Sequence, residues 1–559
     1  MILEKAVWRT ASRIKRRINL QAENPVLRGF HPDPSLIRVE DDYYLAVSTF
    51  EWLPGVAVYH SRNLAEWEYI SSPIDNKEKA DLRGCRASDG IWAPCLSYDG
   101  ELFYLIYTVV HSAREFPPMD THNYLITAKQ IEGPWSDPVY LNSSGFDPSI
   151  FHDRDGRKWI LNMEWDHRGT FGGNPFAGIR IQEYDPEEKR LVGEPVTIFK
   201  GTRIGSTEGP NLYRIGDYYY LFTAEGGTGW FHAVTVARSK CLLGPYEVHP
   251  GNPILSSYEG SFDGTKAAEE FPRLGPGSSL LKKAGHASLV EDGRGNWYLA
   301  HLCARTIPGT EFCPMGRETA IQEIEWREGW PYLKGGGRLP KSSFHVENEE
   351  LPAKEAAVSK AVRYTFDKED FRKDFLTLRV FYEAAGMTVT ERKGALRIYG
   401  GESIFSRFDQ ALIARRQTDF SFCARTEFEF VPRTYRHGAG LIYRYDEKNQ
   451  YYAYISYNEQ LQGTVAGLMA VMGGKATLYP EVRLDGPRYL LGLTVQNDLA
   501  EFFYEAEGVR HRIGERLPVT CLSDDFADGF TGSFVGMCVQ DMEGRNNYAD
   551  FLSFTYEVM

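Results

Sequence analysis

Three carboxylates open equivalent short blocks of this chain. They are Asp33 in Asp33-Pro34-Ser35-Leu36, Asp147 in Asp147-Pro148-Ser149-Ile150, and Glu208, one residue ahead of Gly209-Pro210-Asn211-Leu212. Acids brought to one place divide their protons unequally, because like charges held close force one carboxyl to keep its proton while another stays ionised. That division is what acid–base hydrolysis needs. Asp-Pro and Glu-Gly-Pro also open strands for local reasons, since Asp and Pro are common turn residues. One such site would mean no more than that; three at the same place in repeated blocks point to convergence.

Two further blocks, Ala93-Pro94-Cys95-Leu96 and His286-Ala287-Ser288-Leu289, complete the set. Each block runs through a polar turn, such as Glu40-Asp41-Asp42 or Asp153-Arg154-Asp155-Gly156, into an aromatic strand such as Tyr43-Tyr44-Leu45 or Trp297-Tyr298-Leu299. This is a hairpin pattern. An interval of roughly 54–77 residues between block starts suits one four-stranded propeller blade. Five blades follow, and the starts of their inner strands converge at one end of the central channel. Matching outer segments support the repeat: Ser61 to Trp67, Ala128 to Ser136 with Gly133-Pro134-Trp135, and Ala237 to Tyr246 with Gly244-Pro245.

With 559 residues the chain exceeds one ordinary core. Its 42 % hydrophobic and 25 % charged content is that of a globular protein, and 14 % aromatic suits strands and sugar-stacking sites. A net charge of −13 argues against nucleic-acid binding, which needs a basic face. No apolar run approaches the ~18 residues of a membrane span. The first residues are basic (Lys5, Arg9, Arg13, Lys15, Arg16, Arg17) without the apolar stretch of a secretory signal. Eight cysteines without CxxC spacing suggest neither zinc nor a disulfide framework, so a cytoplasmic setting is expected.

The expected organisation is all-β: a basic extension over 1–23, a five-bladed β-propeller over 24–334, a linker over 335–360, and a jelly-roll (concanavalin A-like) β-sandwich over 361–559. The linker begins at Gly335-Gly336-Gly337 and is rich in Lys and Glu. Sandwich strands are expected at Ala439–Tyr445, Tyr451–Tyr457 and Phe534–Val539. The stretch 256–284, rich in Gly, Ser and Lys, reads as a surface loop, with an ordered lid as the other reading. The sandwich could bind sugar, brace the propeller or mediate oligomer contacts, and a homo-oligomer is expected.

Asn24-Pro25-Val26-Leu27-Arg28-Gly29-Phe30-His31-Pro32-Asp33-Pro34-Ser35, Gly145-Phe146-Asp147-Pro148-Ser149, Ser206-Thr207-Glu208-Gly209-Pro210, Gly285-His286-Ala287 and Gly316-Arg317-Glu318-Thr319-Ala320 together resemble the β-xylosidases of glycoside hydrolase family 43. The similarity runs from about Asn24 to Met559 and departs at the basic extension and at the insertion before His286. The resemblance implies an exo-acting, inverting β-D-xylosidase that releases xylose from the non-reducing ends of xylooligosaccharides. It makes Asp33 the general base, Glu208 the general acid, and Asp147 the acid that orients Glu208 and raises its pKa. An inverting glycosidase needs one protonated and one ionised carboxyl about 6.5–9.5 Å apart, with water between.

The resemblance also places Arg317 beside the sugar and the base. Phe50, Trp92, Trp165 and Thr228 match substrate-binding positions, and either Phe526 or Phe530 matches a sandwich-loop residue that closes the pocket. His286 lies beneath the site, in some relatives beside a calcium ion; no cofactor is required, and a lone His gives no metal signature of its own. A histidine hydrogen-bonded to Asp33 or to channel water is the other reading. α-L-Arabinofuranosidase activity is the nearest rival, and a non-catalytic sugar-binding propeller a more distant one. The Asn-Asp-Pro-Asn-Gly start of retaining fructosidases does not occur.

Overall fold

The structure, a computed structural model, describes residues 17–113, 117–262, 279–349 and 361–559. Residues 1–16 of the basic extension, 263–278 of the predicted loop and 350–360 of the predicted linker lie outside the described residues.

Five antiparallel sheets form the propeller blades. Their first strands are Ser35–Val39, Gly90–Tyr98, Ser149–His152, Glu208–Ile215 and Lys282–Glu291. The five block starts share a backbone conformation: Asp33, Ala93, Asp147, Gly209 and His286 all have positive φ, between 37° and 57°. Four of the five are not glycine, so each side chain is held in a left-handed turn that costs of order 1 kcal/mol or more. Ala93, Asp147, Gly209 and His286, with Pro34 next to Asp33, border one narrow axial cavity. The repeat is therefore one of backbone as well as sequence, and it aims each block's first side chain at the axis.

In blades 1, 4 and 5 the small polar residue two positions after the start stitches neighbouring blades together. Ser35 Oγ accepts from the Leu96 amide of blade 2 at 2.9 Å. Ser288 Oγ accepts from Leu36 at 2.9 Å and donates to Pro34 O at 2.8 Å, which joins blade 5 to blade 1. Asn211 donates to Ala287 O at 3.2 Å. The outer segments repeat as well, each folding an aromatic polar tip back onto a nearby carbonyl: Trp67 onto Leu64, Trp135 onto Ile131, and Tyr246 onto Leu242.

Chain segments read as extension and linker belong to the propeller's closure. Arg17–Glu23 pairs antiparallel with Ser343–Glu349, and Asn24 exchanges hydrogen bonds with Ile321 of blade 5 at 2.7 and 2.9 Å. Phe344 and Val346 are buried in a core with Tyr43, Leu45 and Tyr298. Alternation at Phe344 and Val346 is a strand pattern that the surrounding Lys and Glu concealed. The predicted 256–284 loop is likewise shorter at both ends, since Leu255–Ser256 and Lys282–Ala284 lie in strands and are buried.

Two packed antiparallel sheets make up the C-terminal sandwich. The expected strands appear as His437–Asp446, Asn449–Asn458 and Phe534–Asp541, in the larger sheet. That sheet also takes in a propeller segment: Trp52–Leu53 pairs with Thr377 and Leu378 at its edge. Trp52 stacks on Phe534 with centroids 3.8 Å apart and 16° between planes. One apolar cluster runs without a break from Phe50 and Trp92 in the propeller to Leu378, Leu412 and Phe534 in the sandwich. All eight cysteines are free thiols. Among the described residues, no helix is long and apolar enough to cross a membrane.

Candidate active site

Asp33, Asp147 and Glu208, from blades 1, 3 and 4, meet in a cavity of about 210 Å³. All three are almost fully buried. The Asp33 carboxylate accepts from Ser48 Oγ at 2.6 Å, and that oxygen accepts in turn from the Ala93 amide at 2.8 Å, so blade 2 fixes the orientation of the blade 1 acid. Asp147 accepts from the Gly209 amide at 3.0 Å, which holds it against the peptide that follows Glu208. Thr207, just before Glu208, donates to the buried Glu225 at 3.0 Å. Glu208 is thus braced from both sides along the chain.

Two nitrogen side chains, Arg317 and His286, approach the floor. An Arg317 guanidinium nitrogen lies 3.9 Å from Asp33. His286 Nδ1 lies 3.8 Å from Asp33 and 3.9 Å from Asp147, too far for the direct hydrogen bond to Asp33 that the sequence left open. Burial, then the neighbouring Asp147 and Asp33, push the Glu208 carboxyl well above the usual range, and Arg317 only partly offsets this. Asp147 is also raised, by burial and Asp33 against the opposing pull of His286, the Gly209 amide and Arg317. One carboxyl of the group is thus biased toward its protonated form while a cation faces another, an arrangement suited to acid–base hydrolysis.

The walls are largely aromatic. Phe50, Trp92, Trp165, Thr228, His286 and Arg317, named in the sequence as candidate substrate-binding residues, all line the cavity. The Trp165 indole is fixed by its bond to Pro117 O at 2.9 Å. Of the two competing phenylalanines, Phe530 lines the cavity and Phe526 does not. Phe526 sits on the short helix Asp524–Ala527 and is 49 % exposed, because Asp528, at φ 54°, reverses the chain before Phe530 turns inward. Arg317 lies over the Phe530 ring at 4.9 Å and donates to its carbonyl at 3.0 Å. Gly316 is required there: a Cβ would come within 2.2 Å of Thr531 O, and its φ is +66°.

Other members of the site went unnoticed in the sequence. Ala113, Met119, Phe146, Phe176, Gly227, His232 and Leu302 also line the cavity; His232 is held neutral, its pKa lowered to about 3 by burial and then by His286 and Arg317. Ser48 and Glu225 support the acids from behind. Only Ser48 had a visible signal, as the residue closing the strand opposite Asp33.

The axial cavity beside His286 measures about 10 Å³, room for roughly one water. Prolines 34, 94, 148 and 210 line it with Ser35, Cys95, Asn211 and His286, and Asp147 is its one carboxylate among the described residues. Calcium takes about 6–8 oxygen ligands, which these residues do not supply. No step below runs through a metal.

Residues 22–331 match the family model of glycosyl hydrolases family 43. The chain belongs to this family. Residues 363–557 of this family-43 hydrolase match the β-xylosidase C-terminal concanavalin A-like domain. It is 41 % identical to a β-xylosidase of Bacillus subtilis, across 96 % of this chain and 100 % of that one. It is 43 % identical to xylosidase/arabinosidase 43B of Humicola insolens, across 96 % and 97 %. The crystal structure of a xylan β-1,4-xylosidase from Bacillus halodurans C-125 superposes with a TM-score of 0.88 at 43 % identity, covering 96 % of this chain and 100 % of that one.

Proposed function

We propose that this family-43 hydrolase is an exo-acting, inverting β-D-xylosidase that removes single xylose residues from the non-reducing ends of xylooligosaccharides. The observation that carries this reading is the raised Glu208 carboxyl, in an aromatic-walled cavity that also holds Asp33 with Arg317 beside it. The B. subtilis and B. halodurans relatives, both named for xylosidase activity, support the choice of sugar.

In this mechanism a water lies between Asp33 and the anomeric carbon. Asp33 takes a proton from the water as its oxygen bonds to that carbon. The bond to the leaving oxygen breaks on the opposite face, and Glu208 gives its proton to that oxygen. Asp147 keeps the Glu208 proton in place until then, and Arg317 pairs with the base. Phe530 and the aromatic walls leave room for one sugar beyond the scissile bond. One proton gained at Asp33 and one lost at Glu208 are restored through solvent before the next turnover.

A second reading, α-L-arabinofuranosidase or dual activity, is favoured by the similarity to an enzyme named xylosidase/arabinosidase. Proton NMR of xylobiose hydrolysis, following the anomeric signals from the first minutes, tests both. Early α-xylose is expected. Early β-xylose overturns the base–water–acid assignment, and absence of hydrolysis with turnover of arabinosyl substrates favours the second reading.

A further inference from the structure

We infer that Glu51 and Ser88 form a positioning pair through which the sandwich sets the aromatic wall of the pocket and keeps it one sugar wide; this deepens, and rests on, the glycosidase reading above.

Glu51 stands between two residues facing opposite ways. Phe50 lines the cavity, and Trp52 stacks on Phe534 of the sandwich. The Glu51 carbonyl accepts from the Arg379 amide at 2.9 Å, extending the sheet pairing of Trp52–Leu53. Its carboxylate, 1 % exposed, accepts from the Ser88 amide at 3.1 Å. Ser88 passes this anchorage on to two more walls. Its carbonyl accepts from the Trp92 indole at 2.9 Å, and its Oγ accepts from the Phe530 amide at 2.9 Å.

Three rings from three distant chain segments thus hang on one bracket. Their centroids lie 5.8 Å apart for Phe50 and Trp92, and 6.0 Å apart for Trp92 and Phe530. Gly90 lets the bracket close: a Cβ there would meet Phe50 O at 2.4 Å, and Phe50 and Ile91 exchange backbone bonds at 3.0 Å in both directions.

An apolar residue at position 51 would glue the same two domains with less desolvation cost. A buried carboxylate is the more expensive choice, and what it adds is direction: it fixes the Ser88 amide, and with it two hydrogen bonds that no apolar side chain could aim. Ring placement governs how tightly a single sugar is held, in the ground state and the transition state alike. Loosening the bracket should therefore raise KM more than it lowers kcat.

The test compares Glu51→Ala, Ser88→Ala and Glu51→Gln with the wild type on p-nitrophenyl β-D-xyloside, with D-xylose as competitive inhibitor. Glu51→Ala is expected to raise KM and the xylose inhibition constant about tenfold, and Ser88→Ala, which keeps its backbone bonds to Glu51 and Trp92 and loses only the Oγ bond to Phe530, about threefold, both with kcat within about threefold. Glu51→Gln, whose amide oxygen still accepts from Ser88, is expected to restore both constants to within about twofold. Unchanged constants in Glu51→Ala or in Ser88→Ala, or a Glu51→Gln as impaired as Glu51→Ala, would overturn the inference; if Glu51→Ala fails to fold, Glu51→Met, which fills the space but accepts nothing from the Ser88 amide, takes its place. If the wild type turns over an aryl arabinofuranoside instead, the xylosidase reading fails, and the same comparison with L-arabinose as inhibitor still decides the bracket.

Discussion

On the floor of the pocket, carboxylates from three blades crowd one another with few hydrogen bonds between them. The walls a few ångströms away are rings held by bonds to backbone carbonyls and by a continuous apolar core. The floor is frustrated: burial and mutual repulsion push the pKa of Glu208 well up and that of Asp147 up to about 6. The walls are satisfied: Trp92, Trp165 and Phe530 each have a polar atom paired. The contrast separates two jobs. Strained charge is useful where charge must move during reaction, and rigid apolar surface where a neutral sugar has only to be held.

The sharpest way to break this division is to remove a floor carboxylate. Asp33→Ala should abolish turnover on every substrate, because in the proposed mechanism Asp33 takes the proton from water. Glu208→Ala should lower kcat on xylobiose about 10²–10⁴-fold, with a much smaller loss on aryl xylosides whose leaving groups need little protonation. Steady-state kinetics on the two substrate types reads the difference. Equal losses on both would remove Glu208 from the acid role.

Next in size is Asp147→Asn. The Asp147 charge is the largest cause after burial of the raised Glu208 carboxyl. Its loss lets Glu208 release its proton more easily, so the basic limb of the kcat–pH profile should move down by about one pH unit. A profile that stays in place would show that burial alone holds the proton.

The floor was legible in the sequence and much of the wall was not, for a physical reason. Asp33, Asp147, Glu208 and His286 occupy repeated block positions that the fold must bring to the axis, so periodicity along the chain becomes proximity in space. Phe530 comes from a loop of another domain, and only family resemblance pointed there; the choice between it and Phe526 turned on Asp528, whose left-handed backbone leaves no mark in composition. Ser88 and Glu51 act through backbone groups, which every residue carries. The strand Ser343–Glu349 was concealed because a strand with one solvated face can be as rich in Lys and Glu as a linker.

A wall residue should give a different signature from the floor. Trp92→Ala removes the ring that touches both Phe50 and Phe530. KM for xylobiose should rise roughly tenfold, with a smaller fall in kcat and an unmoved pH profile, because uniform binding is lost while the acids stay in place. A moved pH profile would mean that the wall also controls the burial of Glu208, and the two jobs would not be separate.

The smallest expected effect is on stability, and it runs in the unusual direction. A carboxyl raised in the folded state binds more protons than in the unfolded chain at every pH between the two pKa values. Stability therefore falls as pH rises through that window, and at neutral pH the native state carries the penalty of a group that would ionise if the chain unfolded. Glu208→Gln keeps the shape and removes the ionisation, so it should raise Tm at pH 7 by about 1–3 °C. The gain should vanish below about pH 4, where the carboxyl is protonated in both states. A wild-type wall residue offers no such gain, since Trp92 has no proton to lose in this range. Thermal scans of Glu208→Gln and wild type across pH 4–8 would sharpen the contrast: a gain that grows with pH assigns the cost to ionisation, and a constant one would assign it to packing.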